Sequence, residues 1–237
     1  MKGMILAAGL GTRFKPWTDN HPKALALVKG KTLLQRNVEY FQKAGIFDVV
    51  VNVHHFADQI IDAVKSNKGW GSRIVISDET DVVLETGGGL MKAAEHLQGE
   101  SFALMNVDIL TNMDLSAMIA WHNKLMPLAT IATTNRKTSR YFLFDHLDNL
   151  CGWKNVKTGE EKLIRSAASI TEKAFSGIHI IDPRLFSILK LTGKFSMVDA
   201  YLSLASGEII KSFDHSGSSF IDVGKPEAVA VAEEMFQ

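Results

Sequence analysis

Gly9 and Gly11 lie at the end of the apolar run Met4-Ile-Leu-Ala-Ala8, and three cations follow closely: Arg13, Lys15 and Lys23. Glycine takes side chains away from backbone N–H groups, so those groups can lie against phosphate oxygens, and the cations put fixed positive charge at the same place. Such a loop can cradle a polyphosphate, and it reads as a nucleoside triphosphate site. By residue type alone a glycine-bearing turn after a strand is simply a turn. Arg13, Lys15, Pro16 and the Pro22-Lys23 pair favour phosphate instead. Two other phosphate motifs are absent. A dinucleotide fingerprint needs glycine or alanine where Phe14 stands, and a P-loop needs lysine and a hydroxyl residue straight after its last glycine.

A second set of groups carries negative charge. Asp108 closes one apolar run and Asp222 lies in another. A lone aspartate at a strand end is ordinarily a turn or cap residue. Two of them matter because Mg²⁺ takes one or two protein carboxylates together with phosphate oxygens and water. Asn106, two residues before Asp108, is expected at the same rim, within reach of a sugar hydroxyl or phosphate. The run Glu85-Thr86-Gly87-Gly88-Gly89 precedes a helical stretch, with Thr86 as its expected N-cap. It is either a flexible helix start or a place where the backbone approaches a flat base or sugar. Asp78, Glu79, Asp81 and Glu85 read mostly as a solvated acidic loop. His54 and His55 point to opposite sides of an extended chain, which makes them structural rather than a metal pair.

The elements that must position these groups alternate in type. Apolar strand-like runs at 5–8, 47–53, 73–77, 101–107 and 128–134 are separated by helix-period segments at 32–44, 56–65, 87–97 and 115–124. This rhythm implies right-handed crossovers and a mostly parallel sheet covered on both faces, a Rossmann-like three-layer α/β/α sandwich. Ligands in such sheets sit beyond the carboxyl ends of the strands, where Gly9, Asn52 and Asp108 all fall. After Thr134 the rhythm changes. Runs at 141–145 and 151–156 flank the polar pair Asp148-Asn149 as an antiparallel hairpin, and a strand at 174–181 leads to Pro183 as a first helical residue. A helix at 196–206, strands at 208–212 and 220–223, and a helix at 225–236 with Pro226 in its first turn complete the chain. The simplest organisation is one domain over 1–237. Residues 1–134 would form its nucleotide-binding part, and 135–237 a small β-rich insertion for the second substrate plus the second carboxylate.

Composition narrows the function. The 26 basic and 26 acidic side chains cancel, leaving no field to hold nucleic acid or an anionic membrane. The cluster at 13–23 is therefore local and suits a small anion. Cys151 is the single cysteine, so an internal disulfide is ruled out and a reducing, cytoplasmic setting is expected. No apolar stretch nears the roughly 20 residues that span a bilayer, and Gly9, Gly11 and Arg13 interrupt the one run that resembles a leader.

Leu6-Ala-Ala-Gly-Leu-Gly-Thr-Arg-Phe-Lys-Pro16, followed by Pro22-Lys23-Ala24-Leu25, closely resembles the signature of the sugar-1-phosphate nucleotidyltransferases. The resemblance continues, in order, through Leu84-Glu85-Thr86-Gly87-Gly88-Gly89, Asn106-Val107-Asp108, Phe175-Ser176-Gly177 and Phe220-Ile221-Asp222-Val223-Gly224. It implies an enzyme that joins a nucleoside triphosphate to a sugar 1-phosphate and releases pyrophosphate. It also implies Mg²⁺ on Asp108 and Asp222, and a nucleotide held by Leu6, Ala7, Ala8, Gly9, Gly11, Thr12, Arg13 and Lys23. Thr86, Gly87 and Gly88 would meet the base, and Asn106, Ser176 and Gly177 the sugar. Arg13 and Lys23 would be catalytic, one on the departing phosphates and the other on the α-phosphate. Arg140 is a candidate for the substrate's phosphate, with an ordinary surface arginine as the favoured alternative. The Glu172-Lys173 pair is spaced too close to Gly177 for the role a similar pair has in larger relatives.

Among subfamilies the likeness is greatest to the N-acetylmuramate 1-phosphate uridylyltransferases, which implies UTP and a role in peptidoglycan recycling. Mannose, heptose and phosphocholine enzymes are the alternatives. Val107 departs from the glycine common in the family and narrows the space beside the metal. A catalytically silent sugar-nucleotide sensor is the non-enzyme rival, but it has no need of the four charged residues that are all present. A nicotinamide-dependent oxidoreductase is disfavoured by Phe14. A monomer or small homo-oligomer is expected.

Overall fold

The computed structural model describes residues 1–236. β1 (Gly3–Leu6) is a wholly buried strand, and short 3-10 turns at Thr12–Phe14, Trp17–Asp19 and Lys23–Leu25 carry the chain through the first loop. β2 (Leu27–Val28) and β3 (Lys31–Thr32) form a tight hairpin that no periodicity announces. α1 (Leu33–Lys43) starts where the Thr32 hydroxyl accepts from the Gln35 N–H at 3.0 Å, and it buries Leu33, Leu34, Val38 and Phe41. Then come β4 (Asp48–Val53), α2 (Ala57–Ser66), β5 (Arg73–Asp78), α3 (Glu85–Lys92) and β6 (Phe102–Asn106). α3 is shorter than the 87–97 expected and starts earlier. Leu84 is its N-cap, so Thr86 lies inside the first turn and does not cap it.

The second half runs β7 (Ile109–Thr111), α4 (Leu115–Leu125), β8 (Ala129–Thr134), β9 (Arg140–Phe144), β10 (Leu150–Asn155), β11 (Glu160–Leu163) and β12 (Thr171–Ile181). It ends with α5 (Leu185–Ile188), α6 (Met197–Leu204), β13 (Ile210–Asp214), β14 (Phe220–Asp222) and α7 (Glu227–Met235). Two prolines sit further out than expected. Pro183 precedes α5 by two residues, and Pro226 is the residue before α7 rather than in its first turn.

β5, β4, β1 and β6 are parallel neighbours, as the alternating rhythm requires. β12 lies antiparallel to β6 and carries β8 on its other edge, with β13 parallel to β8. Eleven residues make β12 long enough to serve two purposes. Ile178 to Ile181 pair with β6, while Thr171 to Lys173 pair with β9. The β9–β10 hairpin and β11 therefore continue the central sheet through β12.

Alternation along the strands divides the core into two layers. Ile5, Val49, Val51, Ala103 and Met105 face α1, α2, α4 and α7. Met4, Leu6, Val50, Phe102 and Leu104 face α3, α5 and α6. Successive side chains of a strand point to opposite faces, so a strand apolar at every position needs cover on both sides.

Candidate active site

A cleft of about 500 Å³ opens at the carboxyl ends of β1, β4 and β6. Gly9, Asn52 and Asp108 share its rim, and Leu6, Ala7, Ala8, Gly11, Thr12, Lys23, Thr86 and Asn106 also line it. Gly11 has φ 62, a left-handed conformation that suits glycine, and its carbonyl accepts from the Thr18 hydroxyl at 2.9 Å. The loop thus turns sharply and leads back to Lys23 at the cleft wall.

Sequence places the two aspartates far apart; a three-rung ladder brings them together. Asp222 is opposite Ile109 in the β14–β7 pair, and the Val223 N–H donates to the Asp108 carbonyl at 2.8 Å. The Asn37 side-chain amide donates to the Val107 carbonyl at 2.7 Å and fixes the peptide before Asp108. The Lys23 ammonium is ion-paired with Asp108, the two side chains being only 13% and 14% exposed. Asp222 keeps an exposed edge, but surrounding protein displaces much of its hydration. That loss first, and the neighbouring Asp108 carboxylate second, raise its pKa above the ordinary carboxylate value, against the pull of Lys23, Arg13 and Arg136. Arg13 lines an adjoining groove with Asp222, Gly224 and Lys225.

Among the described residues no cluster of three histidine, cysteine or acidic side chains forms a closed metal cage. Two hard carboxylates without nitrogen or sulfur donors fit Mg²⁺, which completes its shell with phosphate oxygens and water. The like-charge crowding at Asp222 is what a divalent cation would relieve.

Other expected residues fall elsewhere. Lys15 pairs with Asp19 at 3.0 Å in solvent and does not line the cleft. Gly87 and Gly88 are buried, and their N–H groups both donate to the Phe195 carbonyl, at 2.9 and 3.1 Å. Their donors serve the 193–197 segment, and Thr86 reinforces it by accepting from the Met197 N–H at 2.9 Å. Ser176 is 0% exposed and its hydroxyl is bonded to His215 at 2.8 Å, so its side chain does not reach the cavity. Gly177 packs against Asn106 and Ile109. Lys173 is held by Asp148 and Ser212, away from the cleft. His54 and His55 bond to the Glu79 and Thr18 carbonyls, as structural residues would.

A second cavity of about 320 Å³ adjoins the first through Thr86 and Asn106. Arg140, Tyr141, Phe142, Trp153 and Phe175 line it. Two cleft residues gave no signal in the sequence. Lys194 enters from the 193–197 segment and lies 3.8 Å from Glu85. Glu79, expected in solvent for the most part, is 1% exposed and lines the cleft.

The nucleotidyl transferase family model matches residues 2–235. The chain belongs to that family. This nucleotidyltransferase is 30% identical to the N-acetylmuramate alpha-1-phosphate uridylyltransferase of Caulobacter vibrioides, over 97% of this chain and 94% of the relative. It is 29% identical to a mannose-1-phosphate guanyltransferase of Yarrowia lipolytica, over 96% of this chain but 61% of that protein. Among solved structures, HddC from Yersinia pseudotuberculosis complexed with GMP-PN superposes with a TM-score of 0.79 at 25% identity, covering 100% of this chain and 99% of that one. The enzyme class expected from the motifs, a sugar-1-phosphate nucleotidyltransferase, is borne out, and so is the Rossmann-like α/β architecture. Among the described residues no helix is long and apolar enough to cross a membrane.

Proposed function

We propose that the protein joins UTP to N-acetylmuramic acid 1-phosphate, giving the UDP-sugar and pyrophosphate, as a step in cell-wall sugar recycling. The observation that carries the reaction is the convergence of Lys23, Asp108 and Asp222 at the mouth of the glycine loop. A phosphate oxygen of the sugar 1-phosphate attacks the α-phosphorus, a new oxygen–phosphorus bond forms, and the bond to the β-phosphate oxygen breaks. The nucleophile is already an anion, so the chain supplies no general base. Its work is to align two polyanions and offset their charge.

Leu6, Ala7, Ala8, Gly9, Gly11 and Thr12 cradle the triphosphate. Lys23 meets the α-phosphate and the incoming oxygen, and Arg13 the departing phosphates. Asp108 and Asp222 would hold Mg²⁺, which would supply positive charge to offset that of the phosphates. Thr86 and Asn106 stand where the two cavities join, so each substrate has a wall of its own.

The uracil and the sugar rest on the uridylyltransferase likeness, at 30% identity over almost the full length of both chains. The acceptor cavity supports that sugar. Trp153, Tyr141 and Phe175 offer apolar faces for a pyranose and an N-acetyl methyl, and Arg140 stands at its edge to meet an anionic group of the sugar, its 1-phosphate or its lactyl carboxylate. Pyrophosphate release, measured with each nucleoside triphosphate against a panel of sugar 1-phosphates in Mg²⁺, tests the reading. The expected maximum is UTP with N-acetylmuramic acid 1-phosphate. A faster reaction of GTP with mannose 1-phosphate would replace it with the guanylyl reading, which the 29% identity to such an enzyme also supports. Asp108→Asn is expected to abolish the Mg²⁺-dependent rate, and undiminished turnover in excess chelator would refute the metal role.

A further inference from the structure

Three parallel strands, β1, β4 and β5, end side by side at the nucleotide cleft, and a buried polar relay crosses all three. The Ala7 N–H, just past β1, donates to the Asn52 side-chain carbonyl on β4 at 2.7 Å. The Asn52 amide donates to Glu79 Oε1, just past β5, also at 2.7 Å. Asn52 and Glu79 are 2% and 1% exposed, yet both border the cleft.

Only one orientation of the Asn52 amide serves, because the Ala7 N–H needs an oxygen, and that turns the amide N–H toward Glu79. Glu79 is itself held from two more sides. Its N–H donates to the Val53 carbonyl at 2.8 Å, and its own carbonyl lies 2.6 Å from the His54 ring nitrogen. The helix behind the relay leaves room for it. A Cβ on Gly89 would stand 2.5 Å from Glu79 Oε1 and 2.8 Å from the Asn52 amide nitrogen.

We infer that Asn52 and Glu79 are positioning residues for the triphosphate: they fix the direction in which the chain leaves β1, and through it the backbone of Ala8, Gly9 and Gly11. The inference rests on the phosphate-loop reading above and assigns to it two residues that touch no reacting atom. A buried carboxylate is costly to retain unless its partners need it. Here the partner that needs it is the amide that sets the loop.

The test reverses the polarity of the relay. Asn52→Asp still accepts from Ala7 but sets a second carboxylate against Glu79. Glu79→Gln with Asn52→Asp restores a donor facing an acceptor, with the opposite sense. Initial rates are measured with UTP and the sugar 1-phosphate that the unaltered protein turns over. KM for UTP is expected to rise by about tenfold or more in Asn52→Asp, with the sugar 1-phosphate KM little changed, and to return toward the original value in the double variant.

A double variant with a restored melting temperature but a KM for UTP still raised would overturn the inference. So would a folded Asn52→Asp with an unaltered KM for UTP, or an equal rise for both substrates. If Asn52→Asp does not fold, Asn52→Ala, which removes both bonds without adding charge, is read against the same outcomes. An unaltered protein that turns over no nucleoside triphosphate would count against the proposed function itself.

Discussion

Two glycine-bearing segments face the nucleotide cleft, and they are built for opposite reasons. A Cβ on Gly9 would meet no atom within 4 Å, and its backbone has no left-handed φ that would require glycine. Nothing in the protein needs Gly9 to lack a side chain, and the proposed function gives the space beside it to the triphosphate. The same methyl on Gly88 would run into the carbonyl of Gly193, and on Gly87 into the ring of Phe195. Those glycines let α3 and the 193–197 segment close on each other. On the proposed reading one motif is shaped around a substrate, while the other is shaped around its own chain, although the letters look alike.

The largest expected effect lies on the ligand side. Lys23→Ala should lower the rate of pyrophosphate release by about 10²–10³-fold, the usual loss when one preorganised charge at a transition state is removed. Arg13→Ala should fall in the same direction, with both variants folded by circular dichroism. Rates near the original in both would mean that the Gly9 space is not a phosphate site.

Gly88→Ala should act through the fold, destabilising it by about 1–3 kcal/mol as overpacking does, read from thermal unfolding. An unchanged melting temperature would show that the 193–197 segment is not docked on α3.

Gly9→Ala sharpens the contrast. Stability should hold or rise by about 0.4–1 kcal/mol, because the native backbone there suits alanine. KM for the nucleoside triphosphate should rise by about tenfold as the methyl takes ligand space. A fall in stability without a change in KM would reverse the comparison.

The smallest effect is expected for Thr86→Val, which keeps the shape but leaves the Met197 N–H without its acceptor. A loss of about 1 kcal/mol in unfolding free energy is expected, and no loss would mean that water replaces the hydroxyl.

What could be read from the sequence was whatever a strand carries to its own end. Gly9, Asn52 and Asp108 each close an apolar run, and parallel strands deliver their ends to one rim. What escaped was decided by distant neighbours. Glu79 stands among Asp78, Thr80 and Asp81 and reads as solvated, while its burial depends on Asn52 and on the room left by Gly89. Gly87 and Gly88 look free for a base until Phe195 claims their N–H groups. Ser176 follows the family pattern, but His215, just past β13 and distant in sequence, engages its hydroxyl. β7 is three residues long, too short to show a period, yet it aligns the second carboxylate.

That short ladder has an architectural consequence. Thr111 is paired with Phe220, the Asn112 N–H donates to the Ser219 carbonyl at 3.2 Å, and the Ser219 N–H returns to the Asn112 side chain at 2.8 Å. Everything between Asn112 and Ser219 is a closed excursion that leaves and re-enters through one clasp. That excursion carries β8, β12 and β13 of the central sheet, so a replacement with the same ends returns the second aspartate to its register only if it re-forms the pairing of β12 with β6. The clasp marks natural splice points for chimeras that keep one catalytic centre and borrow another acceptor wall.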